Sequence, residues 1–340
     1  MKAVLIKKPG EVTLEEVEKP QPLPGEVLLR VRFVGFCGSD LSSYLGGNQL
    51  VSYPRIPGHE ISGVIDGKGE GVPERFREGD AVTVIPYTHC GRCPACRRGR
   101  PNACRENQTL GVQRDGAMQE FITVPWQKLL QAPKLNELEL AVVEPLTVGF
   151  HAIRRGRVEA SDTVMVQGCG MIGTGAILAA LQRRARVIAV DVDERKLELA
   201  RTLGVRHLLN PRKSDLHGEL DELTGGNGPD VVVEAAGSPD SYRTALAEVA
   251  YTGRVVCIGY TGSEVPLNPG LFVKKEMDIL GSRNAAVEDF QAVMTFLEQG
   301  GFPLDRIITE KVKPGEAARA FERWAGDPGR FMKILLEFNP

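Results

Sequence analysis

From residue 163 to residue 281, short apolar stretches alternate with amphipathic ones, and the series opens on VMVQGCGMIGTGAI at 164–177. Strands are predicted at Thr163–Gln167, Val187–Asp191, His207–Leu209, Asp230–Ala235, Arg254–Ile258 and Asp278–Leu280. Helical patterns fill the gaps, at roughly Gly173–Arg183, Glu194–Leu203, Ser214–Leu223, Ser241–Val249 and Asn268–Lys275. Six strands joined by crossover helices predict an α/β unit built on a doubly wound parallel sheet.

Three glycines follow the first strand directly and open the next helix. Gly168 allows the tight turn, Gly170 lets the backbone approach a pyrophosphate, and Gly173 lets helix and strand pack closely. Met171 and Ile172 lie between them, where the free N–H groups and positive dipole end of the helix face the phosphates. Asp191 ends the second strand, one helix and one strand beyond Gly173. A carboxylate there accepts hydrogen bonds from the adenosine ribose and repels a 2′-phosphate, which favours NAD over NADP. Arg195 and Lys196 follow; they form the solvated face of the next helix, neutralise the pyrophosphate, or admit NADP. Ile258 and Gly259 at the end of the fifth strand, and Arg283 after the sixth, complete the expected cofactor-binding set with Lys196. The plain alternative is a glycine-rich turn followed by a surface aspartate.

Residues 1–135 read differently. Apolar residues alternate with charge at Lys2–Lys7, Glu11–Glu18, Glu26–Phe33, His59–Ile65, Ala81–Ile85, Gln119–Val124 and Lys128–Gln131, with Gly and Pro between. Many short strands at near-regular spacing predict a barrel or sandwich. After the sixth strand a helical pattern at Val287–Gln299 and a strand at Phe331–Phe338 suggest that the tail returns to the first domain. The expected division is 1–147, 148–284 and 285–340.

Four of the seven cysteines are clustered on one loop, as Cys90-x2-Cys93-x2-Cys96-x7-Cys104. Four thiolates make a closed tetrahedral zinc site with no open position, which is a structural site. An iron–sulfur cluster is the competing use of such spacing. A second set is scattered: Cys37 in VGFCGSD, His59 and Glu60 in PGHE, and Glu144 in VEPL. Three mixed S, N and O ligands with one open position describe a catalytic zinc. Singly, each has a plainer reading: a small buried apolar residue, a core histidine, a charge at a helix start. Cys169 and Cys257 read as packing.

These motifs together resemble the zinc-containing medium-chain dehydrogenase/reductase (alcohol dehydrogenase) family over essentially the whole chain. The matching residues are CGSD at 37–40, GHE at 58–60 with Gly63, the four-cysteine loop, EPL at 144–146, GCGMIG at 168–173 and Asp191. The resemblance implies a Rossmann dinucleotide-binding domain inserted in a GroES-like β-barrel catalytic domain, and two zinc ions per chain. It implies that Cys37 and His59 bind the catalytic zinc and that Glu60 or Glu144 completes the set. It further implies that Ser39 relays the substrate proton and that Asp40 orients the ligands. The chain departs from the family pattern C-G-(S/T)-D-x-H, since Ser42 stands where a relay histidine is common.

SYLGGN at 43–48, SYPR at 52–55, VIPY at 84–87, LGVQRDGAMQEF at 110–121 and GSRNA at 281–285 resemble the L-galactonate/L-gulonate 5-dehydrogenase branch. That implies oxidation of a secondary alcohol on a sugar acid, with sorbitol, galactitol or L-threonine as alternative substrates. A substrate carboxylate needs a cation, and Arg283 is the first candidate and Arg55 the second. A reading of another class is a non-catalytic zinc-binding interaction protein.

A net charge of −2 offers no footprint for nucleic acid, and no apolar run reaches the ~18–20 residues of a membrane span. The N-terminal MKAVLIKKPGEV lacks the features of a signal peptide. A cytoplasmic location is therefore expected, and the resemblance implies a homodimer or homotetramer.

Overall fold

A computed structural model describes residues 1–338; the last two residues of the expected C-terminal segment lie outside it. Its contacts divide the chain into two units. One is Met1–Glu144 with the segment from Val293 onward, and the other is Pro145–Ala292.

In the first unit a seven-stranded sheet is built around Glu26–Gly35, whose residues are mostly buried on both faces. Along the sheet the order is Ile308–Val312, Lys333–Glu337, Glu26–Gly35, Glu60–Lys68, Ala81–Val84 and Leu129–Gln131. Phe121–Pro125 also pairs with Glu26–Gly35. Register shifts at Leu28/Leu29 and Val31/Phe33 mark bulges, which bend and twist a strand. Lys333–Glu337 pairs antiparallel with the end of Glu26–Gly35, Leu335 opposite Gly35. Each predicted strand of this unit is present with ends moved by a few residues. Glu11–Glu18 stops at Glu16, ahead of Pro20, which has no N–H to give a ladder.

The second unit is a six-stranded, all-parallel sheet. Its order is His207–Leu209, Arg186–Val190, Thr163–Gln167, Val231–Glu234, Arg254–Cys257 and Asp278–Gly281. In chain order this is 3-2-1-4-5-6, a doubly wound sheet whose order reverses beside the first strand. Met165, Val232 and Val255 lie side by side, fully buried, at its centre. The helix expected at Asn268 begins at Gly270, after Pro269.

The sequence reading missed the helix Val143–Arg155. Pro145 and Gly149 hide it, although a proline is tolerated in a first turn. Gly149 is needed there for packing: a Cβ at that position would stand 2.2 Å from the backbone nitrogen of Ala176. The chain leaves the first unit in this helix and re-enters it in Val287–Leu297. Buried Asp289 of the second helix accepts from His151 Nδ1 at 2.8 Å and from Arg154 at 2.8 and 2.9 Å, both on the first. Among the described residues no helix is long and apolar enough to cross a membrane.

Candidate active site

Cys93 caps the short helix Pro94–Arg97, and a 3-10 turn at Pro101–Ala103 brings Cys104 back to it. Sγ separations are 3.5 Å for Cys93–Cys96, 3.9 Å for Cys93–Cys104 and 3.6 Å for Cys90–Cys104. A tetrahedron with Zn–S bonds of ~2.3 Å has edges of ~3.8 Å, so the four sulfurs already match a zinc shell. They are much too far apart for disulfides, whose S–S bond is about 2.0 Å. The donor set therefore fits a closed zinc site. Backbone N–H groups of Cys96 and Arg105 pull the Cys93 thiol down to about 6, while burial pushes Cys96 up to about 12. Metal binding needs thiolates, so protons compete with it and affinity falls with pH. Zinc release to a chelator is expected to accelerate as pH drops from 7 to 5, because protons compete with the metal for the thiolates; a rate flat across that range contradicts the assignment.

The scattered set converges through strand register. Gly35 at the end of one strand pairs with Glu60 at the start of the next. Cys37 lies just past the first strand and His59 just before the second, so the pairing brings both to the same sheet edge. Ligand atoms of Cys37, His59 and Glu60 all lie within 4.8 Å of one another.

The residue before Cys37 is pinned from several sides. The Phe36 ring stacks on Phe321 at 4.8 Å and meets Trp324 at 6.1 Å, its N–H donates to the Ile334 carbonyl, and its carbonyl accepts from Lys333 Nζ at 2.9 Å. Asp40, fully buried, accepts from the Cys37 N–H at 2.9 Å and from the Gly58 N–H at 3.4 Å. One carboxylate thus joins the two ligand-bearing loops. Burial raises the Asp40 carboxyl, against the pull of His59 and those N–H groups.

Burial pushes His59 down, but Cys37, Glu144 and Asp40 overcome it and hold the imidazole well above its usual pKa. Its Nδ1 is buried without a hydrogen-bond partner, as is Ser39 Oγ. A cation bound among these groups would replace the proton held by the anions around the imidazole. The mixed thiol, imidazole and carboxylate donors fit zinc.

Glu144 is buried in the first turn of Val143–Arg155 and lies outside the mutually close group, though its charge reaches His59. Tyr87 donates to its Oε1. Burial raises the Glu144 carboxyl; burial and the nearby Glu144 charge together push the Tyr87 hydroxyl well up. Both oxygens of Glu60 accept from Lys333 Nζ, at 2.7 and 2.6 Å. Sequence reasoning missed Tyr87 and Lys333. VIPY stands out in the sequence only as a likeness, and Lys333 reads as the ordinary charged end of a strand.

In the second unit, Gly168 has φ +87° and Gly173 sits beneath it; a Cβ on Gly173 would stand 1.8 Å from the Gly168 carbonyl oxygen. Gly170 caps the helix Met171–Gln182 and faces open space, with nothing within 4 Å of a Cβ placed there. The turn is a cradle that a side chain would fill, which fits a pyrophosphate. Asp191 accepts from the Cys169 N–H at 2.7 Å and from the Asp193 N–H at 2.8 Å, which fixes its carboxylate. Lys196 lies near enough to pull on the Cys169 thiol. Arg195 is bonded to Asp193 through Nε and Nη2, at 3.0 and 2.7 Å.

Ile258, Gly259 and half-buried Arg283 lie at the same carboxyl end of the sheet. Glu234, which the sequence reading passed over, organises that end. Its Oε1 accepts from Ala236 N, Gly237 N and Ser241 Oγ, and its carbonyl accepts from the N–H groups of Ile258 and Gly259. Arg55, the second candidate for a substrate carboxylate, instead donates to Asp115 at 2.8 Å.

The "Alcohol dehydrogenase GroES-like domain" family model matches residues 23–134, and the "Zinc-binding dehydrogenase" model matches 172–299. An uncharacterised zinc-type alcohol dehydrogenase-like protein of Haemophilus influenzae is 37% identical, with 99% of each chain covered. The chain belongs to the zinc-type alcohol dehydrogenase family. L-galactonate-5-dehydrogenase of Escherichia coli is 32% identical, with 99% of both chains covered. A solved alcohol dehydrogenase of Escherichia coli CFT073, complexed with NADH, superposes with a TM-score of 0.91 at 32% identity, covering 99% of each. The GroES-like and Rossmann architecture expected from the motifs is thereby established, and this dehydrogenase is an enzyme. The reading as a non-catalytic zinc-binding interaction protein is set aside.

Proposed function

We propose that this dehydrogenase oxidises a secondary alcohol of a sugar acid, of the L-galactonate or L-gulonate type, to the ketone with NAD. The observation that carries the alcohol chemistry is the meeting of Cys37, His59 and Glu60 within 4.8 Å. The sugar-acid choice is supported by the likeness to L-galactonate-5-dehydrogenase. In this reading Cys37, His59 and Glu60 hold the catalytic zinc, and Cys90, Cys93, Cys96 and Cys104 hold the structural one.

When bound, zinc supplies Lewis acidity that lowers the pKa of an alcohol hydroxyl, and the nicotinamide accepts the hydride. The chain's own residues do the rest. Ser39 would relay the hydroxyl proton, accepting it at its buried, unpartnered Oγ while giving up its own hydroxyl proton toward solvent. Asp40 keeps the two ligand loops together through its N–H contacts. Tyr87 turns Glu144 by donating to its Oε1.

Gly168, Gly170, Met171, Ile172 and Gly173 hold the pyrophosphate, with Lys196 as a nearby cation. Asp191 binds the adenosine ribose, and Ile258 and Gly259 lie toward the nicotinamide. NAD is favoured over NADP because Asp191 is fixed by two N–H groups and Arg195 is engaged by Asp193. The protein is proposed to act in the cytoplasm as a homodimer or homotetramer on small molecules, with no nucleic-acid or membrane partner.

The test is kcat/KM for L-galactonate, L-gulonate, sorbitol, galactitol and L-threonine, each with NAD and NADP. A sugar acid is expected to lead sorbitol by at least about tenfold; the reverse order assigns the enzyme to neutral polyols. Hydrogen bonds to a charged group contribute about 1.5–3 kcal/mol. Arg283→Gln should therefore raise KM about 10- to 100-fold for an aldonate and leave that for a neutral polyol nearly unchanged. Equal effects on both remove Arg283 from the substrate site.

A further inference from the structure

Lys333 and Glu60 form the most deeply buried ion pair among the described residues, with side chains 4% and 1% exposed. The ammonium meets both carboxylate oxygens, at 2.7 and 2.6 Å, and the carbonyl of Phe36 at 2.9 Å. It thus touches one residue of the zinc-ligand group and the neighbour of another. The Glu60 carboxylate lies directly over Gly35, where a Cβ would stand 1.9 Å from Oε2, so the pair depends on a glycine at that position.

We propose that Lys333 is a positioning residue that competes with the catalytic zinc for Glu60 and so limits how tightly that metal is held. The inference rests on the zinc-site reading above. A buried carboxylate must be compensated, and breaking such a pair leaves an uncompensated charge. In the metal-free protein Lys333 donates to both oxygens and supplies much of that compensation. In the loaded protein zinc and Lys333 share one carboxylate. Removing Lys333 therefore destabilises the metal-free form more than the loaded form, and the difference appears as tighter zinc binding.

The test uses the zinc-loaded enzyme. Zinc release to a chelator is followed for wild type, K333R, K333M and K333Q, and the four-cysteine zinc serves as an internal control. Release from the catalytic site is expected to slow about tenfold or more in K333M, less in K333Q and little in K333R. The four-cysteine rate should not change. In an E60Q background, K333M should have no effect, since the shared carboxylate charge is gone; such a cycle isolates the pair.

If K333M fails to fold, K333Q, whose neutral amide can still donate to Glu60, and the double variant E60Q/K333M, which removes the carboxylate charge, carry the test. Unchanged or faster release in K333M or K333Q overturns the proposal and makes Lys333 a structural partner only. A wild-type protein holding zinc at the four cysteines alone overturns the zinc-site reading itself, which is a separate outcome.

Discussion

Cys37→Ser is expected to leave one zinc per chain and to lower kcat/KM for the best alcohol substrate by about 1000-fold or more. Metal polarisation of a reacting oxygen is worth several kcal/mol, and each step of about 1.4 kcal/mol is tenfold in rate. The fold should survive, because the backbone around Cys37 is held by groups the substitution leaves intact. Asp40 still accepts its N–H, and Phe36 still stacks on Phe321. Circular dichroism, metal analysis and steady-state kinetics on the same preparation check all three statements. A serine variant with two zincs and ordinary activity would remove Cys37 from the catalytic centre.

The second large effect is expected in the glycine turn, where two neighbouring positions should fail in different ways. Gly173→Val places carbon where the Gly168 carbonyl oxygen now stands, 1.8 Å from a Cβ, and neither backbone can yield easily. Overpacking of this kind costs about 1–3 kcal/mol or more. The variant should melt markedly lower and bind NADH at least about tenfold more weakly. A Cβ on Gly170 meets nothing within 4 Å, and the φ of −64° there suits any residue, so Gly170→Val should be tolerated by the fold. It should melt like wild type and still lose NADH affinity, because its side chain enters the space left for the pyrophosphate. Thermal unfolding with a fluorescence titration separates the cases. A Gly170 variant that binds NADH normally would move the cofactor away from this turn.

The parts of the molecule that were legible in the sequence are the local ones. The four cysteines lie between Cys90 and Cys104 and need only one short helix and one 3-10 turn to meet. The glycine turn and Asp191 belong to consecutive strands of a regular parallel sheet, so their spacing already carries their geometry. The meeting of Cys37 with His59 and Glu60 is of another kind. It depends on the pairing of Gly35 with Glu60, which no spacing rule contains, and only likeness to a family draws these residues together beforehand.

Lys333 was illegible for a physical reason: KILLE reads as a strand with charged ends, whereas the first of those charges is buried against Glu60. Tyr87 and Glu234 were lost in the same way, as side chains whose partners are distant in sequence or belong to the backbone of a turn. The helix Val143–Arg155 shows the converse. Its proline and glycine argue locally against a helix, and close packing at Gly149 overrides that preference.

The most direct test of the account is the zinc content of the purified protein, measured per chain together with alcohol oxidation as the more labile zinc is withdrawn. Two zincs per chain are predicted, with activity falling in step with loss of the one held by Cys37, His59 and Glu60 while the four-cysteine zinc remains. One zinc per chain with full activity, or activity that outlasts removal of the labile zinc, would contradict it.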